Sequence, residues 1–207
     1  MVSIFRRTVS AAALLALIVL GSASWAQNYV PAETRVAILP VVNASGEKDG
    51  AQAEKQARAA SDELNKQFAS RGFTVVDDKA VSDAIAGAGI QLTDEEQRSS
   101  ASYLRIGADA KADLVVMVVI EKVSQKINRS FFTVAFEGRA RITLAAYDVK
   151  KSAPFIKTTV KEVKAGAGEI VATTKGSANI LAACGKAVRE VLDAPLKPYP
   201  ASKQSGR

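Results

Sequence analysis

Residues 113–123, DLVVMVVIEKV, are the most apolar stretch beyond the N-terminal leader, and they constrain the fold most. A run that is rich in Val and Ile, short, and apolar on consecutive positions reads as a strand buried on both faces. Such a strand needs sheet neighbours on both edges and helices above and below. The flanking sequence supplies both. Residues 35–42 (RVAILPVV) read as a buried first strand with Pro40 near its end. Residues 51–70 follow with a helical period: Ala53, Ala57, Ala60, Leu64 and Phe68 share one face, and Gly72 ends the helix. Phe73–Val76 is a short second strand, and Asp77 or Asp78 caps a helix to about Ile85 before Gly87-Ala88-Gly89. Thr93-Asp94-Glu95-Glu96 reads as a capping box for a helix to about Ile106.

After the central strand the pattern changes. From Phe131 to Tyr147 the period is two. Val134, Phe136, Gly138, Ala140, Ile142, Leu144 and Ala146 point one way; Thr133, Glu137, Arg139, Arg141 and Thr143 point the other. The connection at Ser124–Ser130 reads as a turn. Residues 155–163 form a further strand, and Leu181, Cys184, Val188 and Val191 mark the stripe of a last helix over about 169–192. The order β-α-β-α-α-β-β-β-α predicts an α/β fold. It has a single mixed β-sheet, parallel in its first half and an antiparallel meander in its second, flanked by helices.

The ends read differently. Arg6 and Arg7, the apolar run Ala11–Leu20 and the small residues Ser24 and Ala26 make residues 1–26 a secretory signal peptide, with cleavage before Gln27. No cysteine follows that run, so no lipid attachment is expected. No later segment is long enough to span a membrane. The expectation is a periplasmic or secreted protein with a flexible lead at 27–33, a domain at 34–193 and a flexible tail at 194–207.

Chemistry is constrained by what the 207 residues omit. There is no histidine and one cysteine. That excludes imidazole general bases, His-liganded metals and intrachain disulfides. Cys184, at helical spacing among apolar residues, reads as a buried small side chain. Asp77-Asp78 reads as a cap, and Gly166 and Gly168 as turn glycines, since the dinucleotide fingerprint would need glycine at Val171. No enzyme, cofactor or metal is expected.

Charge carries more. Without Arg6 and Arg7 the formal charge falls from +7 to +5. Residues 77–113 hold eight acids and four bases; residues 121–164 hold ten bases and four acids. Lys122, Lys126, Arg129, Arg139 and Arg141 are therefore the candidate partner surface. It suits an acidic envelope protein, an anionic polymer or lipid head groups. It equally suits edge protection and solubility, since exposed lysine discourages strand pairing. Nucleic acid is not expected of an exported chain with few exposed aromatics.

RVAILPVVN, the long helix, GFTVVDD, LRIGADAKADLVVMVVI and ITLAAYDVKKSAPFI together resemble the CsgG/LpoB-like family of bacterial envelope proteins, over about residues 34–192. That fold is similar to the N-terminal domain of TolB. The resemblance implies a non-enzymatic accessory module acting through protein contacts in the envelope, or an oligomeric structural or secretion component related to the curli channel subunit. The chain departs from those relatives in lacking the lipidated cysteine. The short turn expected at Ser124–Ser130 also leaves no membrane-inserting hairpin, and no family residue carries over as a site.

Overall fold

The computed structural model describes residues 29–129, 134–166 and 175–201; the expected signal peptide and its expected cleavage position lie outside them. The first apolar run forms two strands, β1 (Arg35–Ile38) and β2 (Val42–Asn43). The break falls around Pro40, which has no N–H to give a ladder. Asp49 caps α1 (Gly50–Ala69), accepting from the amides of Ala51 and Gln52. Gly72, at φ +83°, turns the chain into β3 (Thr74–Val75). Asp77 caps α2 (Asp78–Ala88), which runs through Gly87 and ends on left-handed Gly89.

The capping box behaves otherwise. Asp94 accepts from the Glu96 amide at 3.0 Å and from the Gln97 side chain at 2.9 Å. These bonds stabilise a turn, and α3 (Ser100–Asp109) starts later, on Ser99 as its cap. The remaining elements are β4 (Leu114–Arg129), β5 (Val134–Asp148), β6 (Ala153–Ala165) and α4 (Lys175–Leu196).

The chain is α/β, with one sheet in the order β3-β1-β4-β5-β6 and β2 also paired to β4. Pairings among β1, β2, β3 and β4 are parallel; β4–β5 and β5–β6 are antiparallel. One face of the sheet buries Leu114, Val116, Val118, Ile120, Ile142 and Leu144 against Leu64 and Phe68 of α1 and Cys184, Val188 and Leu192 of α4. The other face buries Val115 and Met117 against Val81 of α2 and Tyr103 and Ile106 of α3. The central strand is thus covered on both faces where it is apolar.

Three expectations at element ends are corrected. Ser124–Arg129 continues β4 and does not form the short turn; it pairs with β5 as far as Arg129–Val134. Its polar residues suit a strand with a solvated face as well as they suit a turn. The lead expected to be flexible holds a 3-10 turn at Pro31–Glu33, and the Tyr29 hydroxyl bonds the buried Asp148 carboxylate at 2.5 Å. The tail expected from residue 194 stays helical to Leu196, and Leu196 and Tyr199 are buried. Tyr199 stacks edge-on against Phe73, and its hydroxyl accepts from the Tyr29 amide at 3.2 Å. Apolar residues placed after a proline carried more burial than their Pro-rich surroundings suggested. Residues 202–207 lie outside the described part.

Two contacts generate predictions. The Asn179 side chain of α4 donates to the Phe136 carbonyl at 2.7 Å, and a Cβ on Gly138 would collide with the Asn179 and Ile180 backbone. Gly138→Ala should destabilise by about 1–3 kcal/mol through overpacking. Gly87→Ala, in an exposed helical site with open space, should stabilise by about 0.5–1 kcal/mol. Denaturant melts of both variants check the pair. Asp113 joins the Arg35 amide (2.9 Å) to Lys150 (2.6 Å) at the start of β4. Burial alone would raise its pKa, but these partners outweigh it and hold the carboxyl below its usual range. A depressed pKa contributes stability above the unfolded value, lost as pH falls through the folded value. Asp113→Asn should therefore cost about 1 kcal/mol at pH 7. Melts repeated downward from about pH 4 should show that deficit closing.

Candidate functional site

The helices α1 to α4 do not cover the two sheet faces equally. Beyond Ile120 the face that α2 and α3 pack against is open, and it is shaped by one irregularity. The β4–β5 register shifts between Ile120 and Lys122, leaving Glu121 as the extra residue. Before the bulge, even-numbered β4 residues face α1 and α4; after it, Val123 does. Lys122, Ser124 and Lys126 are thereby turned to the open face. There they pair across the ladder with Arg141, Arg139 and Glu137. On the next strand Glu162 and Lys164 stand opposite Arg141 and Arg139.

The structure therefore brings together Lys122, Arg139 and Arg141, which line one shallow depression with Ser124 and Glu162. Lys126 lies farther along the same face. Arg129 does not join them, because its register with Val134 places it on the opposite side of the hairpin. The charge count grouped all five, and the reading of Ser124–Ser130 as a turn hid the alternation that separates odd-numbered Arg129 from even-numbered Lys122 and Lys126.

The cations are partly neutralised. Arg139 Nε lies 2.6 Å from Glu137 Oε1 and Arg141 Nε 3.1 Å from Glu121 Oε2. The hydrogen bond from Arg139 holds the Glu137 carboxyl below its usual range. Glu121 also accepts a short hydrogen bond from the Thr143 hydroxyl. Lys122, Lys126 and Lys164 make no ion pair among the described residues. Five bases and three acids on this face leave it cationic. Val160, 49% exposed, adds an apolar side chain near its edge.

Where α3 stops covering the sheet, a groove of about 300 Å³ adjoins the depression. Met117, Val119 and Ala145 line it together with Tyr103 and Tyr147, whose rings lie 6.0 Å apart. Arg98 reaches it from the turn before α3. Its side chain is 13% exposed, its Nε has no hydrogen-bond partner among the described residues, and its ion pair there is a 3.7 Å contact to the outward Glu95. Burial raises the Tyr103 pKa against the opposing pull of Arg98. The sequence reading missed this groove. Its signal was Arg98, a basic residue inside the most acidic segment, with Tyr103 five residues later.

The other chemical candidates sit as follows. Cys184 is fully buried, and burial pushes its thiol up to about 12. Asp77 caps α2. Gly166 turns at φ +76° beside Asn179, where a side chain would collide; Gly168 lies outside the described residues. Among the described residues no cluster of three carboxylates or thiols is placed to hold a metal ion, and no helix is long and apolar enough to cross a membrane.

No protein-family model matches the chain, and no curated protein matches it. Solved structures do. The hypothetical protein CT253 from Chlamydia trachomatis superposes with a TM-score of 0.48 at 15% identity, covering 80% of this chain and 96% of that one. Lipoprotein GNA1162 from Neisseria meningitidis gives 0.44 at 9% identity, with 76% and 99% covered. The LpoB C-terminal domain from Salmonella enterica gives 0.42 at 16% identity, with 66% and 86% covered.

Proposed function

We propose that the chain is a non-enzymatic accessory module of the bacterial periplasm that docks an envelope protein on the open, basic half of its sheet. The observation that carries this reading is the uncovered stretch of β4, β5 and β6 beyond Ile120, with Lys122, Arg139 and Arg141 gathered on it. The signal-like leader supports the compartment. A face with partly paired cations favours an acidic partner and speeds encounter more than it sets affinity.

Capture from periplasmic extract tests the reading. The protein should retain a specific envelope protein, and Arg139→Glu with Arg141→Glu should lower its recovery at least ~10-fold. Arg139 is half-buried and both arginines are ion-paired, so Arg139→Gln with Arg141→Gln, which avoids setting like charges together, should lower recovery in the same direction with a smaller change in melting. Equal recovery by parent and variants, or none by any of them, contradicts the reading.

The oligomeric alternative has one observation in its favour: β6, thirteen residues long, is an edge of the sheet. Sedimentation decides it. A clean monomer at high protein concentration rules out a ring built on that edge.

A further inference from the structure

The groove beside α3 holds a cation in poor company. Taking a guanidinium out of water is costly unless charge and hydrogen bonds replace the water. Arg98 has lost most of its exposure, yet its described compensation is one long contact to Glu95, which is itself 92% exposed. The neighbouring Tyr103 is buried and lines the same groove. The acid on the opposite rim is already engaged: Glu121 is held by Thr143 and Arg141. The groove thus offers an unmet cation and a neutral donor at one end and an apolar floor of Met117, Val119 and Ala145.

Resting on the module reading above, we propose that this groove receives an extended acidic segment of the envelope protein partner. A carboxylate of that segment lies against Arg98 and Tyr103, and an apolar side chain two residues away lies on the Met117–Val119 floor. A carboxylate fits because it accepts from both donors at once, and a guanidinium–carboxylate contact is among the stronger hydrogen bonds. An extended segment fits because the groove opens onto the strand ladder at Glu121 and Thr143. Alternate residues of a strand then face the sheet about 7 Å apart, so one residue can meet the cation and the next but one the floor.

NMR titration of the protein with the blocked pentapeptide acetyl-Ala-Glu-Ala-Leu-Ala-amide tests the assignment. Saturable shifts are expected at the Arg98 Nε–H and at the amides of Tyr103, Val119 and Ala145. The Gln-for-Glu peptide should bind ~10-fold more weakly. Arg98→Gln should lose most of the binding. Tyr103→Phe, which deletes one hydroxyl and keeps the packing, should weaken it several-fold. Equal binding of the Gln peptide, shifts confined to Lys122 and Lys126, acetate binding as tightly as the peptide, or no saturable shift overturns the assignment. Capture separates the two levels. If Arg98→Gln retains the envelope partner as well as the parent does, the groove assignment falls and the module reading stands. If the peptide binds the groove but the parent captures nothing, the module reading falls alone.

Discussion

The structure depends on a mismatch of lengths. The β4–β5 ladder runs from Leu114–Asp148 to Arg129–Val134, about 50 Å of paired strand. On one face α1 and α4, of 20 and 22 residues, reach about 30 Å and 33 Å. On the other, α2 and α3, of 11 and 10 residues, reach about 15–17 Å each. A sheet so covered has one face closed over much of its length and one closed only at the β1 end. The bulge at Glu121 fits the side chains to that mismatch. It ends the apolar alternation where α3 ends and sends Lys122 and Lys126 to the uncovered side, while Val123 stays on the covered one.

Two polar contacts fix the ends of this arrangement. Near the β5–β6 turn, Asp148 receives the Tyr29 hydroxyl and the Lys151 amide, and the Tyr199 hydroxyl accepts from the Tyr29 amide, so the segments flanking the domain close on the same corner. At the far end, Asn179 fastens α4 to β5 where Gly138 allows the backbones to meet. Both are long-range bonds to buried or half-buried groups, and such groups are costly to leave unpaired. They tie the segment before β1 and the start of α4 to β5 at its two ends.

Much of the fold was legible because burial writes a period into the sequence. The double-sided burial of Leu114–Ile120, the alternation of Ala140–Ala146 and the caps at Asp77 and Gly72 all follow from local rules. What escaped was decided by tertiary pairing. Ser124–Arg129 has the polarity of a turn, and only its partner strand makes it a strand. Asp94 bonds locally and so delays α3 to Ser99. The site divided the same way. A basic meander was visible in the charge count, but the exclusion of Arg129 needs the register, and the Arg98 groove needs α3 placed on the sheet.

Which face meets a partner can be read from its lysines. Lysine acetylation of the protein alone and in complex with its captured partner, read by mass spectrometry, addresses this directly. Lys122, Lys126 and Lys164 lie on the open face, whereas Lys161 and Lys186 flank Glu190 on the α4 side. Docking on the open face predicts protection of the first three with the last two unchanged. Protection of Lys161 and Lys186, with Lys122 and Lys126 still reactive, would contradict it.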